Sequence, residues 1–196
     1  MRILLSATLA LAASASATLA DGHSDKCFVD ATDPFDLSAE QVVELYACME
    51  GKMLAGYTKG DNPVAAAYRG WAVTSTRPAV AGPHGDRFLQ TFANDVAAEQ
   101  YLKFEDEGVV MPAGSVLAKE SFKLGKEGKP VRVGPLFIMT KGEAGVAPDT
   151  ADWIYSAVQP NGKPMKIKQS FCHNCHVGWE DSDMLAYPLE EVRVSN

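Results

Sequence analysis

The hydrophobic positions of this chain follow two rhythms. Val42, Leu45, Met49 and Met53 recur three or four residues apart, with Val43 and Tyr46 beside them, which is the spacing of one helix face. Ser38 followed by Gln41 has the form of a capping box. The pattern predicts a helix over 39–57, with Gly51 and Gly56 weakening its second half. The middle of the chain then changes to short runs rich in β-branched and aromatic residues, at 68–75, 87–92, 116–124, 136–140 and 153–158. Each is bounded by Gly, Pro, Asn or Asp, so they read as five strands. Between the second and third, Asn94 is placed to cap a helix carrying Val96, Ala97, Gln100, Tyr101 and Phe104 and ending near Gly108. Residues 78–85, 125–130 and 142–149 read as loops, and 177–186 as a short helix or turn. The expected fold is α+β: an antiparallel five-stranded sheet with flanking helices. The leader and helix of 21–67 join the 68–196 domain in one globular unit.

The first twenty residues have a different pattern. Arg2 precedes an apolar or small-residue stretch, and Thr18 and Ala20 place small residues where a signal peptidase reads, before Asp21. Ser6, Thr8, Ser14, Ser16 and Thr18 dilute the run below what a membrane span of about 20 apolar residues requires. Residues 1–20 therefore read as a cleaved signal peptide, with no membrane attachment of the mature chain. Removing Arg2 leaves 17 basic against 25 acidic residues, a formal charge of −8. Such a surface argues against nucleic acid and anionic membranes as partners and permits a basic redox protein.

Four cysteines divide into two pairs. Cys27 and Cys48 are expected to form a disulfide in an oxidising compartment, the alternative being two separate buried thiols. Cys172, Cys175 and His176 form C-x-x-C-H, which reads as a covalent c-type haem site. Two thiols three positions apart can add to the two vinyl groups of a porphyrin and leave the adjacent imidazole under the iron, so His176 is the expected proximal ligand. A zinc site would need a second Cys/His pair at ligand spacing, which the chain lacks. A thioredoxin-like motif would need a following βαβ helix, and the motif lies too late for one. Met184 follows His176 too closely to cross to the other haem face, so any distal group has to come from upstream.

The order of these elements, with the haem motif near the C-terminal end, resembles the cytochrome P-460 family, which includes the cytochrome c′-β proteins. The resemblance is carried by Tyr68 to Trp71, His84-Gly85-Asp86-Arg87, Phe92-Ala93-Asn94, Met111 to Val116 with Lys119-Glu120, Leu136 to Met139, Asp152-Trp153, and Cys172 to His176 followed by Asp183. It implies a periplasmic homodimer with one haem c per chain, five-coordinate and lying against an antiparallel sheet. Some members oxidise hydroxylamine, using a lysine cross-linked to the porphyrin, and pass electrons to a soluble redox protein. Others bind nitric oxide in an apolar pocket walled by phenylalanine.

Lys119 is the candidate for the cross-linking lysine, and strand alternation puts it on one face with Ser115, Leu117 and Ser121. The alternatives are an ordinary solvated lysine at 119, with Lys103 or Lys123 in the linking role. The enzymatic branch also implies a carboxylate shortly before the haem motif, and 161–170 holds three lysines and no Asp or Glu; Glu120 or Asp152 would have to serve instead. Phe88, Phe92, Phe122 and Phe137 are candidates for an aromatic wall over the iron, or for core. His84 reads as a turn residue or a distal ligand. Met139 as a sixth ligand would give a low-spin electron carrier. His173 is expected at the surface.

Overall fold

A computed structural model describes residues 27–126 and 129–195. The expected signal peptide lies outside those residues. After a one-turn 3-10 helix, Pro34–Asp36, the chain enters α1, Ala39–Tyr57. Its start is the anticipated capping box: Oγ of Ser38 accepts from the amide of Gln41 at 3.3 Å, and Oε1 of Gln41 accepts from the amide of Ser38 at 2.9 Å. The helix runs through Gly51 and Gly56 unbroken. Gly56 is needed where it stands, because a Cβ there would meet the carbonyl oxygen of Pro160 at 2.6 Å.

A short helix α2, Pro63–Ala67, leads into a 3-10 turn at Tyr68–Gly70 and then β1, Ala72–Val73. Of the strand anticipated over 68–75, the first three residues are therefore helical turn and only Ala72–Val73 are strand. β2, Ala79–Ala81, lies in a stretch that reads as loop, and is followed by β3, Arg87–Ala93. Helix α3, Asp95–Tyr101, is capped by Asn94 as expected, but it stops well short of Gly108, with Phe104 in left-handed backbone. Next come β4, Val116–Lys123; β5, Arg132–Val133; β6, Leu136–Lys141; and β7, Trp153–Val158. Helix α4, Gln169–His176, carries the haem motif and passes into 3-10 turns over Val177–Ser182.

All seven strands pair antiparallel in one sheet along the path β1-β3-β4-β6-β7. β2 lies beside β3 and β5 beside β4, so the seven strands occupy five rows: β1 and β2 share one edge of β3, and β5 and β6 share one edge of β4. The expected five runs are the five rows. The two extra strands are short extensions that no periodicity of two or three residues can announce.

Because side chains alternate across a strand, the register sorts residues onto two faces. Phe88, Phe92, Ala118, Phe122 and Ile138 turn to the back, where they pack with Val42, Leu45, Met49 and Met53 of α1. Burying four such helix side chains stabilises by roughly 1.5–3 kcal/mol each. Cys27 and Cys48 are joined in a disulfide across a separation of 21 residues, which contributes roughly 3 kcal/mol in the chain-entropy model. On the front, Leu117, Met139, Trp153 and Tyr155 form a second core with Tyr101 and Leu185. Among the described residues, no helix is long and apolar enough to cross a membrane.

Candidate functional site

The front of the sheet and the C-terminal segment enclose a cavity of about 630 Å³, within the usual range for a cofactor pocket. One wall is sheet: Leu89 and Thr91 of β3, Lys119 of β4, Phe137 and Met139 of β6, and Tyr155 of β7. The register explains this set, since Thr91, Lys119 and Phe137 stand side by side across three strands, and Met139 pairs with Tyr155. The facing wall is α4 and the C-terminal segment after it, which together present Cys172, Cys175, His176, Trp179 and Tyr187.

The three motif residues are brought to one place. Cys172 and Cys175 are free thiols, the first half-buried and the second exposed, and burial raises the Cys172 pKa. His176 is buried, and its Nδ1 lies 2.8 Å from the carbonyl oxygen of Met184. A carbonyl only accepts, so Nδ1 carries the proton and Nε2 keeps its lone pair for a ligand. Burial, aided by the charge of Lys119, lowers the imidazole pKa to about 4. The ring is thus held neutral and in one tautomer, as a metal-ligating histidine requires.

Lys119 is only 5 % exposed. Among the described residues no carboxylate or hydrogen-bond acceptor partners it, and desolvation pushes its pKa down to about 8. His84 closes the same wall, its ring 4.6 Å from that of Phe137, and burial lowers its pKa to about 3. Tyr155 and Tyr187 also line the cavity, and their hydroxyls are buried with no hydrogen-bond partner among the described residues.

Other candidates fall elsewhere. Phe88, Phe92 and Phe122 belong to the back core and do not reach the cavity; of the four phenylalanines only Phe137 does. The correction follows from parity: Phe122 and Lys119 stand three residues apart on one strand, so they face opposite sides. Glu120 also points to the back, where it accepts hydrogen bonds from Tyr46 at 2.8 Å, from Tyr68, and from Nε of Arg69 at 2.7 Å. Asp152 caps the amides of Gly145 and Ala147 in an exposed loop. Among the described residues, no Asp or Glu lines the cavity. Met139 lines it, and His173 is half-buried rather than at the surface. Sequence reasoning missed Tyr155 and Tyr187, although Tyr155 shares its parity with Trp153 in a recognised strand.

The residues fit a haem: two free thiols and a neutral, oriented imidazole line a cavity whose sheet wall includes Leu89, Phe137 and Met139. Among the described residues no group of three or more His, Cys, Asp or Glu could hold a metal ion by itself, so the further ligands of a zinc site are not assembled here. Residues 65–186 match the family model for cytochrome P460. No curated protein matches the chain. The family match covers more than half of the chain and contains every strand and the haem motif; the chain belongs to the cytochrome P460 family of haem cytochromes.

Proposed function

We propose that this chain is an exported c-type cytochrome with one covalent haem, whose iron is open on one side and binds or oxidises small nitrogen species such as hydroxylamine and nitric oxide. Cys172 and Cys175 hold the haem by thioether bonds, and His176 ligates its iron. One observation carries the reading: across a single cavity, the thiols and imidazole of α4 face a buried amine, Lys119, that has no partner among the described residues. Haem supplies a redox-active iron with a free coordination position. The chain supplies the rest. Burial keeps the Lys119 amine toward its neutral, nucleophilic form, which suits the porphyrin-linking role we assign to it. Phe137 and Met139 make the sheet wall apolar and restrict water. A periplasmic homodimer served by a soluble redox protein completes the proposal.

Oxidation of hydroxylamine releases protons, and an acceptor must stand within hydrogen-bond reach of the substrate. With no carboxylate among the described residues that line the cavity, the groups there that could accept are amines and imidazoles, among them Lys119 and His84. This favours a second reading, reversible binding of nitric oxide without turnover.

The test is production in a host that matures c-type cytochromes. Haem retained on a denaturing gel by the native chain, and lost from Cys172→Ala/Cys175→Ala, supports the attachment; retention by the double variant refutes it. A ferrous Soret band far to the red, with a peptide map ending at Lys119, supports the cross-link and the oxidase reading. An ordinary five-coordinate spectrum with nitric oxide binding supports the second. An ordinary six-coordinate spectrum defeats both in favour of an electron carrier.

A further inference from the structure

The carbonyl that orients His176 belongs to Met184, and the chain reaches it through two consecutive left-handed residues, Asp183 at φ 54° and Met184 at φ 66°. Such backbone is disfavoured for a non-glycine residue, so the pair has to be held. The Asp183 carboxylate holds it. It accepts from Nζ of Lys141 at 2.7 and 2.9 Å, from the amide of Met111 at 2.7 Å and from Nε1 of Trp153 at 3.3 Å. The same indole donates to the Asp183 carbonyl oxygen at 2.9 Å. Lys141 ends β6, Trp153 opens β7 and Met111 precedes β4, so one carboxylate, 9 % exposed, ties the loop after α4 to three parts of the sheet. Lys141 is fixed in turn by the carbonyl oxygen of Ala151 at 2.9 Å and lies 5.2 Å from the Trp153 ring centroid.

We infer that Asp183 is a positioning residue for the proximal histidine: by fixing Met184 it sets the hydrogen bond that Nδ1 of His176 donates. Through that bond it sets how strongly the ring donates to the haem iron. The inference rests on the haem reading proposed above. Asp183 does not line the cavity and acts only through Met184. A tighter bond gives the ring imidazolate character, strengthens the iron–histidine bond and favours ferric iron. A looser bond does the reverse.

The experiment compares the native holoprotein with Asp183→Asn, Asp183→Ala and Lys141→Met by resonance Raman of the ferrous form and by redox titration. Expected is a shift of the iron–histidine stretch to lower wavenumber and a rise in midpoint potential, largest for Asp183→Ala. The shift should be smaller for Asp183→Asn, which keeps an acceptor for Met111. Met53→Ala, on the back of the sheet, should lower stability and move neither signal. Should Asp183→Ala fail to fold, the other two variants decide. Native frequency and potential in both Asp183→Asn and Lys141→Met overturn the inference while the haem reading stands. A native protein that binds no haem overturns both.

Discussion

Lys119 and Glu120 are neighbours on one strand, both buried and oppositely charged, and they live in opposite circumstances. Glu120, with no exposure at all, is surrounded by donors from Tyr46, Tyr68 and Arg69, the last 2.6 Å away as an ion pair. Lys119, across the backbone, faces a cavity and has no such partner among the described residues. The difference separates two kinds of buried charge. A fully partnered one belongs to the architecture; one left bare at a cavity costs stability and is tolerated where something else will meet it.

The largest expected effect breaks the partnered side. Glu120→Ala leaves the Tyr46 and Tyr68 hydroxyls without their acceptor and Arg69 with Glu50 alone, and should cost about 3 kcal/mol in urea unfolding. Next comes the opposite sign on the other face. In the haem-free protein, Lys119→Met should stabilise at pH 7 by about 3 kcal/mol, because the native amine is held at about 8 against an ordinary 10.5. Between those values the unfolded chain binds more protons, so native stability should rise from about pH 8 to 10.5. Lys119→Met should abolish that slope; an unchanged slope would show that Lys119 is not the buried base. Smaller still, Asn94→Ala removes the acceptor for the amides of Ala97 and Val116, at about 1–2 kcal/mol by thermal melting. Ser38→Ala, at the edge of the back layer, should cost about 1 kcal/mol or less and leave the haem spectrum unmoved.

What was legible in the sequence divides along similar lines. Local signals were sufficient for α1, with its Ser38–Gln41 box, and for four rows of the sheet; in the row beside β3 they marked only Ala72–Val73 and missed Ala79–Ala81. The C-x-x-C-H motif pointed to haem because its spacing is chemical and independent of the fold. Which strand residues face the cavity was harder. β4 is buried on both sides, so hydrophobic alternation alone does not mark its front, and phenylalanines chosen for their chemistry fell on the wrong face. Parity relative to Lys119 would have excluded Phe122. The contacts of Glu120 with Tyr46 and Tyr68 join residues 74 and 52 positions apart, and no local pattern announces such pairs. The hold of Lys141 on Asp183 is likewise a product of the fold.

The paired charges of β4 also act on strand alignment. Its six central residues, Leu117 to Phe122, are buried on both faces, so a slip of one residue against β3 would still bury apolar side chains and cost little on that account. The same slip would reverse every side chain. Lys119 would enter the cage built around Arg69, cation against cation, and Glu120 would stand without a donor in the apolar cavity. Two adjacent charges thereby specify a register that hydrophobicity leaves open, so the lysine that faces the cavity is kept there by the carboxylate behind it.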